Sequence, residues 1–318
     1  MRLPSIMAIP SPIQLVTLAD IGNVETLTQA IAYFTTVGMS TRNLSARTRT
    51  EYQNDLTDLA AYLEKRGITA INQVGLSDLE SYQAEMDRRG YAASTRERKT
   101  YAIKTFFKFL HHQGITREQI ASRLIPPQAE KREPRFLSEQ EYQQLLRAAS
   151  HNTRDAAIIE LFLQTGMRLS ELTRLTLSDV EIPKRITREP DNTGIVRIFR
   201  KRGKTQTIPL NYKARQAVAS YLRVRPAVDH DTLFVTKFKT PMSKRAVQYT
   251  ITKYLKDVGI THASTHTLRH TMATHHVARG TDLKTIQETL GHEQLATTAI
   301  YVSLAKTAQR KALQEHAL

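Results

Sequence analysis

The stretch His266-Thr-Leu-Arg269-His270, followed by Leu290-Gly-His292 and Tyr301, decides how this chain folds and which chemistry it can perform. A second arginine, Arg168, lies far upstream in Thr165-Gly-Met-Arg-Leu-Ser-Glu-Leu. Guanidinium groups match pairs of phosphate oxygens and stay charged, and histidines exchange protons near neutral pH. Tyrosine can attack phosphorus and hold the product as a covalent ester. Together these residue types predict cleavage of a phosphodiester by a protein nucleophile.

The two histidines of this stretch could also form a zinc site, but their context argues against one. His266, Arg269 and His270 share one face of a predicted helix. A zinc protease needs glutamate directly after the first histidine, where this chain has Thr267. An arginine between two histidines also repels a cation. We therefore predict no metal and no cofactor, and we interpret His270 as a structural residue bonded inside its domain.

Hydrophobic periodicity places these motifs among helices and a small sheet. Helices are predicted over Asp155–Gln164, ended by Gly166, and over Leu283–Leu290, ended by Gly291. The glycine after the second helix is expected to turn His292 away from the helix axis. Between the helices, strands are predicted over Ile195–Arg200 and Thr205–Ile208, joined by a tight turn at Lys201-Arg-Gly-Lys204. The pattern predicts a mainly α fold with a small antiparallel sheet.

A proline-rich, charged segment over residues 123–136 is predicted to link two domains. Upstream, one helix is predicted from Ser94 to His112 with an apolar and a basic face. Its apolar face holds Ile103, Phe106, Phe107 and Leu110, and its basic face holds Lys104 and Lys108. The predicted organisation is an extension over 1–23, a helical domain over 24–122, the linker, and a second domain with a C-terminal tail over 137–318.

The composition of this 318-residue chain indicates a polyanionic partner. The formal net charge is +16, and residues 201–250 alone contain eleven basic and two acidic residues. Such a concentration favours a nucleic-acid-binding face over a generic solubilising surface. The absence of cysteine excludes disulfides, thiolate zinc sites and cysteine nucleophiles. No apolar run approaches the roughly 20 residues that span a bilayer, and no signal peptide is recognisable, so a cytoplasmic protein without membrane contact is expected.

The conjunction of these motifs resembles the tyrosine recombinases of the phage-integrase family, and most closely their Xer branch. The resemblance rests on the segments beginning at Thr165, His266 and Leu290 and on the position of Tyr301. It implies a helical, SAM-like core-binding domain and an α+β catalytic domain, which close around DNA as a C-shaped clamp. It also implies a site-specific DNA recombinase that uses a covalent 3′-phosphotyrosyl intermediate and needs neither metal nor ATP.

The resemblance assigns the groups that act on the phosphate. Tyr301 is the expected nucleophile. Arg168 and Arg269 are expected to bind the non-bridging oxygens, where charge must be stabilised in the transition state. His292 is expected to donate a further hydrogen bond there. Taken alone, Arg168 would be an ordinary ion-pair partner of Glu171, so the prediction depends on the whole set.

Two proton transfers remain to be assigned. His266 is the expected acceptor of the tyrosine proton, a role that needs a pKa near the working pH. A lysine of the predicted hairpin is expected to protonate the 5′-oxygen leaving group. Lys201 fits that position, and Lys204 remains the alternative. The choice stays open because the connection over 182–194 is longer than usual in the family and leaves the strand register uncertain.

The expected partner is double-stranded DNA with an inverted-repeat core site. The residues predicted to contact it are Lys104, Lys108, Arg202, Lys204, Lys244 and Arg245, the last two at the start of a helix expected to enter the major groove. The resemblance implies a nucleoid-associated homo-oligomer, a dimer on one site and a tetramer in synapsis. It leaves open whether an activating protein partner is required, and whether the tail docks on a neighbouring protomer or on its own.

Two other functions share parts of this pattern. A type IB topoisomerase uses nearly the same chemistry, but it acts as a monomer without a paired site. A catalytically silent DNA-binding accessory protein would not need the complete catalytic set. A metal-dependent nuclease is disfavoured further, because the sequence contains no acidic cluster.

Overall fold

The chain divides into two units, Met1–Lys131 and Arg132–Leu318, in a computed structural model. The structure describes residues 24–42, 44–128, 134–200, 203–261, 263–291 and 298–306. The predicted extension over 1–23, part of the predicted linker and most of the predicted tail lie outside the described residues. Within the described ranges, no helix is long and apolar enough to cross a membrane.

The first unit is helical throughout its described part. Its helices are α1 (Leu27–Tyr33), α2 (Ala46–Glu64), α3 (Leu76–Arg88) and α4 (Ala93–His112). Ser45 begins α2 by accepting a hydrogen bond from the amide of Thr48. The predicted apolar face of α4 is completely buried in the core of this unit. The prediction of that face is confirmed, because residues three and four apart lie on one side of a helix.

The second unit contains more helices in its described part, around a larger core. They are α5 (Glu139–Ala149), α6 (Thr153–Thr165), α7 (Leu169–Leu172), α8 (Tyr212–Val224), α9 (Lys244–Asp257), α10 (Thr265–Ala278) and α11 (Leu283–Leu290). Residues 298–306 form a further helix. The helix α11 has the predicted bounds. The buried apolar side chains of α6 lie in the core of this unit, which also includes side chains of α5, α8, α9 and α10.

A three-stranded antiparallel sheet completes the second unit, with β1 (Val180–Glu181), β2 (Gly194–Phe199) and β3 (Thr205–Leu210) in that order. The sequence predicts β2 and β3 but misses β1, because a two-residue strand has no periodic pattern. The strand β2 ends one residue earlier than predicted. Phe199 pairs with Thr205, and the amide of Arg200 donates to the carbonyl of Lys204 at 2.7 Å, which closes the hairpin. The predicted fold class, mainly helical with a small antiparallel sheet, is confirmed.

Candidate active site

The helix α10 carries a buried arginine between an exposed histidine, His266, and a partly buried one, His270. The Arg269 side chain donates to the carbonyl oxygens of Gly166 and Leu290, the latter at 2.7 Å. These bonds tie α10 to the ends of α6 and α11. Burial and the nearby charge of Arg168 lower the pKa of Arg269 to about 10. Arg269 therefore stays charged at neutral pH in a region that already holds positive charge.

The second arginine, Arg168, reaches the same place from the N-terminus of α7. Its amide donates to Glu171 at 2.7 Å, and its guanidinium donates to the same carboxylate at 3.0 Å. A further bond joins the guanidinium to the carbonyl of Gly291 at 3.3 Å. Arg168 and Arg269 thus bind the carbonyls of two consecutive residues, Leu290 and Gly291. Arginines 101 positions apart in the sequence therefore lie side by side.

Glycine is required where these elements meet. Gly166 follows α6 with φ +57°, the left-handed conformation that the sequence predicts. A Cβ atom there would lie 2.5 Å from Met272 Cε and 2.7 Å from Leu290 Cδ2, so a larger residue would have to displace these side chains in addition to adopting a strained φ. Gly291, with φ +64°, ends α11 in the same left-handed conformation. Its Cα packs against Arg200, whose Nε would lie 3.1 Å from an added Cβ.

Tyr301 lies inside the second unit. It is 1% exposed and packs in a small apolar cluster with Met272, Leu290 and Leu304. Its hydroxyl is 3.1 Å from Nδ1 of His270. Burial raises the pKa of Tyr301 above its usual value, although the charges of Arg269 and Arg168 act in the opposite direction. The phenol is therefore a neutral hydroxyl at neutral pH.

His266 and His270, one turn apart on α10, have different surroundings. His270, interpreted from the sequence as structural, contacts the phenol of Tyr301. His266 is exposed on the first turn of the helix. Partial desolvation and the charges of Arg269 and Arg168 lower the pKa of His266, so its imidazole is neutral at neutral pH. Sequence spacing alone could not separate these positions, because both histidines lie on the face that also carries Arg269.

Sequence reasoning missed one buried residue of this region, Arg200. Its guanidinium donates to Glu171 at 2.6 Å and to the carbonyl of Thr289 at 2.5 Å. Glu171 accepts from both Arg168 and Arg200. Burial by itself would raise the pKa of Glu171, but the bonds from Arg168 and the charge of Arg200 hold it below its usual value. No pattern in the sequence marks Arg200, because it stands among other basic residues of the hairpin.

Several predicted site residues cannot be located in the structure. Lys201, Arg202 and His292 lie outside the described residues. Lys204 is exposed at the start of β3. Among the described residues, no group of three or more His, Asp or Glu side chains could hold a metal ion.

The predicted DNA-contacting residues differ in their availability. Lys244 and Arg245 are exposed on the first turn of α9, which Ser243 caps. In the first unit, Lys108 is exposed, whereas the ammonium of Lys104 donates to the carbonyls of Ser122 and Leu124, each at 2.7 Å.

Two family models match this chain. The model "Phage integrase family" matches residues 135–308, and "Phage integrase, N-terminal SAM-like domain" matches residues 31–114. Tyrosine recombinase XerC of Pseudomonas syringae pv. tomato is 32% identical over 272 residues, which cover 83% of this chain and 88% of that protein. Tyrosine recombinase XerD of Pasteurella multocida is 33% identical over 276 residues, which cover 83% and 90%.

The fold is also similar to that of a solved structure, a lambda integrase tetramer bound to a Holliday junction. The TM-score is 0.71 at 18% identity, over 88% of this chain and 78% of that one. At this level of identity the similarity establishes the fold alone.

Proposed function

Because this chain belongs to the phage integrase family and is a tyrosine site-specific recombinase of the Xer type, we propose that it cuts and rejoins DNA through a 3′-phosphotyrosyl bond at Tyr301. The observation that supports this most is the convergence of Arg168, Arg269 and Tyr301 around the end of α11. Two guanidinium groups next to one phenol suit a phosphodiester, since they can bind its non-bridging oxygens while the hydroxyl attacks phosphorus.

The first step forms one bond and breaks one bond. The Tyr301 oxygen bonds to the scissile phosphorus, and the bond from phosphorus to the 5′-oxygen breaks. The phenolic proton passes to a histidine, and the leaving oxygen takes a proton from Lys201, with Lys204 as the alternative. Arg168 and Arg269, with His292, stabilise the charge on the non-bridging oxygens. A free 5′-hydroxyl of another strand then reverses the attack, so neither metal nor ATP is required.

Because Tyr301 is buried, the position seen in the structure is a resting one and differs from the position in which Tyr301 reacts with DNA. A phenol that is 1% exposed cannot contact a phosphate in solution. The contact with His270 therefore belongs to the resting protein, and the helix over 298–306 has to shift when DNA binds. Once the phenol has left His270, the exposed and neutral His266 is the base on the side of the two arginines.

The proposed substrate is duplex DNA with an inverted-repeat core site. Lys204, Lys244 and Arg245 are exposed and available for phosphates or base edges. The solved lambda integrase complex contains a tetramer on a Holliday junction, and we extend that assembly to this chain as a dimer on one site and a tetramer in synapsis. An activating protein partner and association with the nucleoid are further parts of this proposal.

A nicked suicide substrate tests the proposal. Wild-type protein should form a protein–DNA complex that resists denaturant, because the nicked strand cannot be religated. Tyr301→Phe should bind the same DNA and form no such complex. A covalent complex with Tyr301→Phe would show that another residue is the nucleophile. Paired sites distinguish a recombinase from a type IB topoisomerase: products that join two sites are expected, and relaxation without exchange would favour the topoisomerase.

A further inference from the structure

The C-terminal end of α11 accepts hydrogen bonds from side chains outside the helix. C-terminal carbonyls of a helix have no partner within it and need donors from elsewhere. Four consecutive carbonyls accept side-chain hydrogen bonds here: Glu288 from Gln206, Thr289 from Arg200, Leu290 from Arg269 and Gly291 from Arg168. Two donors come from the hairpin and two are the proposed phosphate-binding arginines. The end of α11 therefore joins the hairpin to the arginines.

Of the two hairpin residues that donate to α11, Arg200 makes the larger number of side-chain hydrogen bonds. Its side chain is 8% exposed. Each of its three guanidinium nitrogens donates a hydrogen bond to a different group: Nε to Gln206 at 2.9 Å, one terminal nitrogen to Glu171 at 2.6 Å and the other to Thr289 at 2.5 Å. A planar group with fixed donors orients its surroundings more strictly than a flexible ammonium can.

The main chain of Arg200 is fixed as well. Its amide donates to the carbonyl of Lys204 across the base of the hairpin turn, and its side chain packs against Gly291. Lys201 follows Arg200 directly in the sequence, and the carbonyl of Lys204 accepts from the Arg200 amide, so an anchored Arg200 holds the main chain next to both candidate lysines. Loss of the side chain would leave Glu171 with Arg168 alone and the carbonyl of Thr289 without this donor.

We propose that Arg200 is a positioning residue for strand transfer, which holds the hairpin that supplies the general acid against Glu171 and the end of α11. This inference rests on the proposed function, but it does not depend on whether Lys201 or Lys204 is the acid. Arg200 itself does not touch the substrate. It acts through the position of the acid relative to the two arginines that bind the phosphate.

The test compares ordinary DNA with DNA that carries sulfur at the 5′-bridging position of the scissile phosphate. A thiolate leaving group needs little protonation, so a displaced acid matters less on the sulfur substrate. Arg200→Met keeps the length of the side chain and removes its donors. We expect cleavage of ordinary DNA to slow roughly 10–100-fold, as for other residues that orient a reacting group. The sulfur substrate should restore most of that rate, and DNA affinity should not change.

Matched variants keep the test interpretable. Arg197→Met alters an arginine of β2 that pairs with Glu181, away from the end of α11, and this variant should cleave both substrates like wild type. Gln206→Leu removes the bonds of Gln206 with Arg200 and Glu288 and leaves the charge of Arg200 intact. This variant should show a smaller defect and the same rescue, and it replaces Arg200→Met in the test if Arg200→Met fails to fold. Arg200→Lys should fall between wild type and Arg200→Met.

The possible outcomes separate this inference from the proposed function. If the wild-type protein forms no covalent complex with either substrate, the proposed function fails. If wild type reacts but folded Arg200→Met cleaves ordinary DNA at the wild-type rate, or is slowed equally on both substrates, then Arg200 does not position the acid. The same equal defect in Gln206→Leu would overturn the proposal if Arg200→Met cannot be purified.

Discussion

Each unit of this protein contains a partly buried group of charges, and the two groups are balanced differently. In the first unit, Lys99 lies 2.8 Å from Asp58 and 3.4 Å from Asp55. Arg98 pairs with Asp55, and Arg89 pairs with Asp58 at 3.1 Å and with Glu85 at 2.7 Å, so these three cations contact three carboxylates. In this network the cations are matched by carboxylates. Such a network stabilises the fold and leaves little charge for a ligand.

The second unit gathers three arginines around one carboxylate. Arg168 and Arg200 both bind Glu171, and the bonds described for Arg269 go to main-chain carbonyls. The lowered pKa of Arg269, about 10, is a consequence of burial next to another positive charge. A surplus of buried positive charge lowers stability unless an anion can bind. The balanced network serves the fold, whereas the surplus of positive charge in the second unit suits the phosphate of the proposed function.

Arg168→Met should have the largest effect and should act on the rate. Loss of one donor aimed at a transition-state oxyanion costs about 2.7–4 kcal/mol, or roughly 10²–10³-fold in rate. DNA affinity and the unfolding temperature should change little, because Glu171 keeps its bond to Arg200. Single-turnover cleavage and thermal unfolding measure the two quantities. Unfolding of this variant at ordinary temperature would mean that the arginine cluster is structural, as in the first unit.

Lys99→Met should show the opposite behaviour. Lys99 is the buried cation of this network, and its loss leaves the buried Asp55 with the partly exposed Arg98, which costs about 3 kcal/mol of stability. Hydrogen exchange of amides in α2 and α4 should accelerate accordingly. The control is Lys108→Met on an exposed position of the same helix, where a change within about 0.5 kcal/mol is expected. Equal exchange rates in the two variants would contradict the view that the charge network of the first unit stabilises its fold.

The imidazole of His266 reports the surplus of positive charge directly. Desolvation and the charges of Arg269 and Arg168 lower the pKa of His266. Its imidazole should therefore become protonated at a lower pH than an ordinary histidine, whose pKa is about 6.5. Arg168→Met removes one of these charges and should move the titration to higher pH. NMR titration of the ring protons measures the shift. An unchanged or lower pKa of His266 in the variant would contradict the claim that the positive charge of Arg168 acts on His266.

The smallest effect is expected from Lys104 and Lys108 of α4, for both of which the sequence predicts contact with DNA. Lys108→Ala should reduce the slope of log affinity against log salt by about 1, as loss of one phosphate contact does. Lys104→Ala should leave that slope unchanged, because its ammonium donates to the carbonyls of Ser122 and Leu124. Salt titrations of DNA binding distinguish the two. Equal reductions would mean that Lys104 leaves these carbonyls to bind DNA.

Local sequence patterns predicted much of the fold and part of the site. The buried face of α4 and the bounds of α11 follow from residues three and four positions apart. Gly166 and Gly291 end their helices because glycine adopts a positive φ without strain. The ion pair of Arg168 with Glu171 is also local, at spacing i, i+3. The strand β1 was not predictable, since its two residues become a strand only by pairing with β2.

The sequence by itself determined which residue types are available: the arginines, histidines and tyrosine of the motifs, and the two glycines that allow helix ends to approach. Only the tertiary structure decided which of them meet. His270 contacts Tyr301 across 31 positions, Arg200 contacts Glu171 across 29, and Arg168 contacts Gly291 across 123. The reason is physical. Propensity and periodicity act within a few residues, whereas these contacts depend on how α6, α10, α11 and the hairpin pack together, and packing is a property of the whole core.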